Sequence, residues 1–262
     1  MDLGLADKRA LVTGASKGIG LAITKALVSE GATVVAGARE TSDELVALIE
    51  GGRVSAVEVD LVSATGPEDL VAAALEQGPI EILVNNAGGV SPRLDGFAAV
   101  TDKQWEASYK LTLMAAVRTS RAAIKDMLAR GRGAIVNTAS VNAFLPDPAV
   151  IDYGAAKAAL ANFSKALSKE VGPAGIRVNT VSPGPVSTGL WLGEDGVAQA
   201  VAQSSGANPG EIADDAVAGT ATRRFTTPEE VADLIVLLCG DTLGNVTGAD
   251  FIIDGGLVQT LR

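Results

Sequence analysis

The chain has 262 residues, of which 47% are hydrophobic and 20% charged, with a formal net charge of −10 at pH 7. This composition is typical of a globular protein and excludes a largely disordered chain. The acidic balance disfavours non-specific binding to nucleic acid or to anionic membranes, and no apolar run reaches the roughly 18 residues of a membrane span.

The amino terminus and the cysteine content bear on location. The start, MDLGLADKRALVTG, has no basic stretch followed by an apolar one, so we predict no secretory signal. The single cysteine, Cys239, excludes an internal disulfide and is expected to be a buried apolar residue. We therefore expect a soluble cytoplasmic protein, without a metal site.

Short apolar runs alternate with longer alanine-rich segments of helical period. The predicted strands are residues 9–13, 33–37, 54–59, 81–85, 134–139, 177–182 and 250–254. The predicted helices are residues 18–30, 42–50, 67–77, 102–130, 152–171 and 228–240. Unbroken apolar strands that alternate with helices indicate a parallel sheet covered on both faces. No linker interrupts the order, so we predict one α/β domain over residues 1–262, with a doubly wound, seven-stranded, mostly parallel sheet.

Residues 184–224 depart from this pattern. The segment has no strand signal, and between residues 189 and 222 it contains five acidic residues and no lysine or arginine. Loops of this length in compact domains are usually functional lids or disordered. We expect an insertion with one or two short helices over a substrate pocket, and a mobile loop is the alternative.

A glycine-rich turn, GASKGIG at residues 14–20, joins the first strand to the first helix. Glycine permits a tight backbone and close approach of a ligand, and the start of a helix offers free N–H groups to a pyrophosphate. The spacing differs from the G-x-G-x-x-G of other dinucleotide folds. A tight corner without a ligand is the alternative, but the position after the first strand favours nucleotide binding.

The end of the second strand indicates which nucleotide is preferred. An acidic residue there would bond a ribose 2′-hydroxyl and repel a 2′-phosphate. This chain has Ala38 and Arg39 instead, and Lys17 lies in the glycine turn. Two cations and no acid favour NADP(H) over NAD(H), although NAD(H) remains possible.

The glycine turn and several further motifs make the chain resemble the short-chain dehydrogenases/reductases over nearly its whole length. The matching pieces occur in the family's order: TGASKGIG (13–20), VDL (59–61), NNAG (85–88), Ser140, YGAAK (153–157) and SPGPVST (182–188). Among its members, 3-oxoacyl reductases and carbonyl reductases are the most similar in these motifs. The resemblance implies a Rossmann fold and a nicotinamide-dependent oxidoreductase.

The resemblance also implies a set of cofactor contacts. Those expected at the phosphates are Gly14, Ser16, Lys17, Gly18 and Ile19, with Arg39 at the 2′-phosphate. Those expected at the adenine are Asp60 and Leu61, and those at the ribose beside the nicotinamide are Asn86, Ala87 and Gly88. Those expected at the nicotinamide are Pro183, Gly184, Val186 and Thr188, with Tyr153 and Lys157 near its ribose.

The predicted chemistry centres on Tyr153 and Lys157. Residues four apart share a face of a helix, so the two side chains can enter one cleft. A free phenol has a pKa of about 10, and a nearby ammonium lowers it by favouring the phenolate. We therefore predict that Tyr153 is a general acid for ketone reduction and a general base for the reverse, with its pKa lowered by Lys157.

Two further residues complete the predicted set. Ser140 ends the fifth strand, thirteen residues before Tyr153, and its hydroxyl can donate to a carbonyl oxygen as negative charge develops there. The family usually has an asparagine seven residues after an aromatic residue of the long helix, where it supports a water beside the lysine. Counting from Trp105 reaches Thr112 instead, so this relay is either different or incomplete.

The substrate and the assembly are less determined by the sequence. An acidic 184–224 segment argues against an anionic substrate, and Arg93 could either contact a polar substrate or be solvated. A small or medium neutral ketone is the favoured substrate, and the resemblance implies a homotetramer or homodimer. The alternatives are an NAD-dependent alcohol dehydrogenase of the same family and a nucleotide-sensing regulator without turnover.

Overall fold

The structure is a computed structural model that describes residues 1–260 of the chain. All seven of its strands lie in one parallel sheet, in the order β3-β2-β1-β4-β5-β6-β7. The strands are β1 (Arg9–Thr13), β2 (Thr33–Ala38), β3 (Val54–Glu58), β4 (Ile82–Asn85), β5 (Gly133–Thr138), β6 (Ile176–Pro183) and β7 (Asp250–Ile253).

Helices cover both faces of the sheet. They are α1 (Gly18–Ser29), α2 (Asp43–Glu50), α3 (Gly66–Glu76), α4 (Asp102–Tyr109), α5 (Ala115–Arg130), α6 (Ile151–Val171), α7 (Gly189–Leu192), α8 (Val197–Ser205), α9 (Pro209–Ala218) and α10 (Pro228–Cys239). The sequence-predicted bounds of the strands and main helices, apart from the segment 102–130, are confirmed to within one or two residues. Of the helices within residues 1–260, none combines the length and apolar character needed to cross a bilayer.

Alternation of side chains along the buried strands gives the sheet a hydrophobic core on each face. On β1, Val12 packs into one cluster with Ile23 of α1 and Ile235 of α10. Its neighbour Leu11 packs into the other cluster with Leu70 of α3 and Met127 of α5. The side chains on both faces of the central strands are therefore buried, which is why these strands appear in the sequence as continuous apolar runs.

Two of the sequence predictions need correction. The segment 102–130 is not one α-helix, because a π-helical turn, Lys110–Met114, separates α4 from α5. The segment 184–224 contains three short helices, α7, α8 and α9, rather than one or two. Cys239 is buried as predicted, and burial raises the pKa of its thiol to about 12.

Candidate active site

The predicted site residues gather at the carboxyl edge of the sheet. The glycine turn follows β1, Arg39 follows β2, Asn86 follows β4 and Ser140 comes shortly after β5. The chain order reverses between β1 and β4, which are neighbours at the centre of the sheet. In open α/β sheets, ligands bind outside the carboxyl ends of the strands at such a reversal.

The glycine turn forms a cradle that side chains would fill. Gly14 and Gly18 have positive φ angles of 66° and 53°, which favour glycine. A Cβ atom on Gly14 would lie 3.0 Å from the Ala87 Cα, and one on Gly20 would lie 2.1 Å from the Gly14 carbonyl oxygen. Substitution of either glycine would therefore displace the turn.

The start of α1 fits an anionic group. In the described part of the chain, the N-cap residue Lys17 makes no side-chain capping hydrogen bond. The first N–H groups of the helix, from Gly18 onward, therefore have no side-chain cap and carry the positive end of the helix dipole. The backbone of Ser16 is held in place because it accepts a 2.6 Å hydrogen bond from the Ser42 hydroxyl at the start of α2. These residues fit the pyrophosphate of a dinucleotide.

Two exposed cations stand at the edge of this cradle. Lys17 and Arg39 are both exposed, and among residues 1–260 neither makes a salt bridge. Asp60 is the acid after β3, and its carboxylate accepts from the backbone N–H of Val62 at 3.0 Å. Leu61 beside it is buried. The end of β2 therefore carries the exposed cation Arg39, as the sequence indicates, followed by the exposed acid Glu40.

The loop after β4 is joined directly to the glycine turn. The hydroxyl oxygen of Thr13 accepts from the backbone N–H groups of Asn86 at 3.0 Å and Ala87 at 3.1 Å. The Asn86 side chain donates back to the Thr13 carbonyl at 3.2 Å. Next along the loop, a Cβ atom on Gly88 would lie 3.6 Å from Lys157 Nζ. The loop thus connects the glycine turn to the lysine of α6.

Ser140, Tyr153 and Lys157 lie together, as their pattern predicts. Lys157 Nζ is 5.6 Å from the Tyr153 ring centroid and donates to the Thr138 carbonyl at 2.5 Å. Ser140 is near enough to Tyr153 to lower the pKa of its phenol. The Ser140 hydroxyl donates to the Asn142 side-chain oxygen at 3.2 Å and accepts from the Asn142 N–H at 3.1 Å. The missing side chain of Gly154 lets α6 pack closely against the turn after Ser140, because a Cβ there would lie 3.2 Å from the Asn142 carbonyl oxygen.

Burial dominates the electrostatics of the trio. It raises the pKa of Tyr153 to about 12, and the hydrogen bond with Ser140 opposes this only in part. Burial also lowers the pKa of Lys157 to about 8. The expected lowering of the phenol pKa by Lys157 is therefore reversed here, because withdrawal from water penalises both charged forms. At neutral pH the phenol carries its proton.

Thr112 lies in the π-helical turn, which contacts α6. Its side chain is 1% exposed, and its hydroxyl has no hydrogen-bond partner within residues 1–260. The hydroxyl of Thr138, on the strand residue whose carbonyl accepts from Lys157, is also buried and unpaired in this part of the chain. Buried polar groups normally have a partner, either protein or water. π-helical turns are frequent at functional sites.

The chain after β6 closes the other side of the cradle. Gly184 donates to the Ile253 carbonyl at 2.9 Å, and its missing side chain lets Asp254 approach. Val186 is buried and pairs with Thr226 in an isolated bridge. Thr188 lies beside the glycine turn, because a Cβ on Gly18 would be 3.3 Å from its methyl group. The end of this segment, at Thr188, thus lies against the glycine turn.

One feature near Tyr153 was not found from the sequence. Asp152 is 1% exposed and pairs with Arg93, whose guanidinium donates to the carboxylate at 2.6 Å and 3.2 Å. Arg93 is therefore held in an ion pair, which neither of the two alternatives left open by the sequence includes. No local signal in the sequence marks the pair, because Arg93 and Asp152 are 59 residues apart and α6 carries several other charged residues.

Comparison with known proteins links this arrangement to an enzyme family. The profile of the short chain dehydrogenase family matches residues 8–195. The uncharacterized oxidoreductase YvrD of Bacillus subtilis is 34% identical, with all of both chains covered. Human dehydrogenase/reductase SDR family member 4 is 32% identical over 98% of this chain and 90% of its own length.

A solved structure gives the same result for the fold. L-Sorbose reductase from Gluconobacter frateurii, complexed with NADPH and L-sorbose, superposes with a TM-score of 0.91 and 36% identity. The match covers all of both chains. Its similarity therefore extends through the 184–224 segment as well as the sheet.

Proposed function

The chain belongs to the short-chain dehydrogenases/reductases and is an NAD(P)-dependent oxidoreductase, and on that premise we propose that it interconverts a ketone and a secondary alcohol, with NADP(H) preferred. One observation carries the proposal. The buried phenol of Tyr153, the Ser140 hydroxyl and the Lys157 amine lie together beside a glycine cradle. These three side chains could transfer a proton, and the glycine cradle beside them could bind a dinucleotide.

The chain offers a contact for each part of NADP(H), which supplies or accepts the hydride when bound. The residues that would hold the phosphates are Gly14, Ser16, Lys17, Gly18 and Ile19, with Arg39 at the 2′-phosphate. The residues that would flank the adenine and the nicotinamide side are Asp60, Leu61, Asn86, Ala87, Gly88, Pro183, Gly184, Val186 and Thr188. The preference for NADP(H) is supported by the exposed Lys17 and Arg39 at the cradle.

Tyr153 would be the acid in the reducing direction. A carbonyl oxygen gains negative charge as its carbon is reduced, and the Tyr153 hydroxyl, protonated at neutral pH, would donate its proton there. Ser140 would donate a hydrogen bond to the same oxygen and stabilise the developing charge. Its raised pKa keeps the proton on Tyr153 at neutral pH, so the acid form is the one present in the ligand-free site.

Thr112 would take part in returning a proton to the site. Its buried hydroxyl lacks a protein partner among the described residues, as does that of Thr138, whose carbonyl accepts from Lys157. Buried hydroxyls of this kind are commonly satisfied by water. A water between Thr112 and Lys157 would replace the one that the family's asparagine supports.

The substrate would be a neutral ketone. The 184–224 segment, proposed as a lid, brings acids and no cation between residues 189 and 222, which disfavours anionic ligands. Arg93, the nearby arginine that a charged substrate might have used, is occupied by Asp152. The structural neighbour L-sorbose reductase was crystallised with L-sorbose, a neutral ketose, so polyhydroxylated ketones belong in the test.

Association of subunits is also proposed, as a homotetramer or homodimer. The exposed Leu128 on α5 and the alanine-rich faces of α5 and α6 support it, because small side chains let helices approach closely. Sedimentation velocity would give the assembly directly, and a monomer at micromolar concentration would contradict it.

The test of the function is a screen of carbonyl compounds by loss of NADPH absorbance. The panel pairs neutral ketones, such as cyclohexanone, acetoin and L-sorbose, with the anions pyruvate and acetoacetate. We expect turnover of at least one neutral ketone, none of the anions, and loss of activity in Tyr153→Phe. Tight NADPH binding without turnover of any ketone or alcohol would contradict the proposal and favour a nucleotide sensor. Preference for NADH would favour an NAD-linked dehydrogenase.

A further inference from the structure

A buried ion pair lies directly beside the Tyr153 backbone. The Arg93 guanidinium contacts the Asp152 carboxylate through Nε at 3.2 Å and through a terminal nitrogen at 2.6 Å. The Asp152 side chain is 1% exposed and that of Arg93 is 14% exposed. A two-point contact of this kind fixes the orientation of both groups, which a single point charge does not.

The pair joins two different parts of the site. Asp152 is in the first turn of α6, which also carries Tyr153 and Lys157. Arg93 is in the connection between β4 and α4, and its backbone N–H donates to the Ala149 carbonyl at 2.6 Å. Main chain and side chain therefore attach this loop to the start of α6.

The opposite end of the loop is also anchored. The N–H groups of Asn86 and Ala87 donate to the Thr13 hydroxyl beside the glycine turn. Between the two anchors, a Cβ on Gly88 would lie 3.6 Å from Lys157 Nζ, and a Cβ on Gly89 would lie 3.3 Å from the Leu111 side chain of the π-helical turn. Residues 86–93, which we name the crossing loop, thus span from β1 to α6 across the amine.

We propose that the Arg93–Asp152 pair is a positioning device for the reaction, with Arg93 and Asp152 as positioning residues. The pair holds the crossing loop over Lys157 and sets its distance from the Tyr153 helix. Without the pair, the polar contacts left to the loop among residues 1–260 include its anchor at Thr13 and the bond to the Ala149 carbonyl. The proposal rests on the proposed function for its kinetic consequence, but its structural consequence is independent of turnover.

The simpler role, neutralising a buried charge, predicts a different outcome. Removal of Arg93 alone leaves a buried carboxylate without a cation, which destabilises the fold whatever the pair does. Removal of both charges restores much of the stability, because no uncompensated charge remains. The double variant therefore distinguishes the two roles. If the pair has a positioning role, the double variant regains stability but not activity, because the link between the loop and α6 is still missing.

The experiment compares Arg93→Met, Asp152→Asn and the double variant with the wild type. The kinetic substrate is the ketone of the panel that the wild type reduces fastest. In the double variant we expect kcat to fall by about ten- to a hundredfold, since misplacement by about 1 Å can cost this much. The NADPH Kd should change by less than about threefold, because the phosphate contacts lie at the other end of the site.

A matched control is the pair of Arg130 and Asp126, which is also two-pointed and partly buried, with side chains 20% and 23% exposed. It lies at the opposite edge of the sheet, beside Ile80. Arg130→Met should lower the melting temperature and leave kcat unchanged. Recovery of kcat together with stability in the Arg93/Asp152 double variant would overturn the positioning role.

Hydrogen exchange provides the readout that does not need turnover. In the wild type, the hydrogen-bonded amides of the crossing loop, above all that of Arg93, should be protected, and in the double variant the amide at position 93 should exchange at least about tenfold faster. Faster exchange in the double variant, together with a wild type that lacks activity toward every ketone, would support the tether and reject the proposed function. Unchanged exchange in the double variant would overturn the inference whatever the activity.

Discussion

Replacement of Lys157 by methionine should make the ligand-free protein more stable while abolishing its proposed chemistry. Lys157 is 3% exposed, and burial lowers its pKa from the ordinary 10.5 to about 8. At roughly 1.4 kcal/mol per pKa unit, this corresponds to about 3 kcal/mol against the charged amine at neutral pH. Loss of its hydrogen bond to the Thr138 carbonyl costs about 1 kcal/mol.

Lys157→Met is therefore expected to raise the free energy of unfolding by about 2 kcal/mol at pH 7. For a protein of this size, that corresponds to a rise in melting temperature of about 4–8 °C. Methionine has a similar length and no charge, so it should fill the same space. A group that weakens the fold and is nevertheless present at a site fits a catalytic role, because stability and activity commonly oppose each other.

The pH dependence gives the sharper form of this prediction. The folded pKa lies below the unfolded one, so between pH 8 and 10.5 the unfolded chain holds the Lys157 proton that the folded chain has lost. This group's contribution to wild-type stability therefore rises across that window, and its full cost is present below pH 8. The advantage of the methionine variant should be largest at pH 7 and should shrink by pH 10.

Tyr153 does not disturb the comparison. Its folded pKa of about 12 lies above the ordinary 10, so its contribution is complete below pH 10 and is lost between about pH 10 and 12. To first order, this occurs in both proteins. Thermal unfolding followed by circular dichroism at pH 7 and 10, without nucleotide, measures the effect, with the exposed Lys25→Met as control. A methionine variant less stable than the wild type at pH 7, or a difference independent of pH, would refute the reasoning.

Three further substitutions test the nucleotide preference and the proton-transfer residues. Arg39→Asp should weaken NADPH binding by roughly ten- to a hundredfold, because a charged hydrogen bond is worth about 1.5–3 kcal/mol, while NADH binding stays similar or improves; equal effects on both Kd values would contradict a 2′-phosphate contact. Ser140→Ala should lower kcat by about a hundredfold or more with little change in NADPH affinity, and an unchanged kcat in steady-state assays would remove Ser140 from the mechanism. Thr112→Asn should leave kcat within about tenfold of the wild type, roughly 1.4 kcal/mol of barrier, and loss of all turnover would show that Thr112 does not take the place of the family's asparagine in the relay.

The sheet and the contacts between α6 and β5 could be predicted because each depends on a local pattern. The strands read as apolar runs since both of their faces are buried, and the turn after β1 is marked by glycines whose positive φ angles the structure requires. Tyr153 and Lys157 come together through helical spacing alone. The position of Ser140 follows from the rule that strand ends share one edge of the sheet.

The remaining features depend on contacts between distant residues, which a single sequence does not display. The π-helical turn at Lys110–Met114 adds one residue to a turn without breaking the apolar pattern, so the segment 102–130 reads as one helix. Arg93 and Asp152 are 59 residues apart, and nothing local indicates that they pair. The predicted lowering of the Tyr153 pKa was wrong, because the sequence shows the nearby amine of Lys157 but not the burial of both groups.

The central claim is that the Tyr153 hydroxyl delivers the proton to the reacting oxygen. The most direct measurement is the single-turnover rate after the NADPH complex is mixed with ketone, compared between wild type and Tyr153→Phe, with NADPH Kd measured for both. The account predicts a fall in rate of about 10²–10⁴-fold with Kd unchanged to within about threefold. A phenylalanine variant that keeps its rate within about tenfold of the wild type would contradict it.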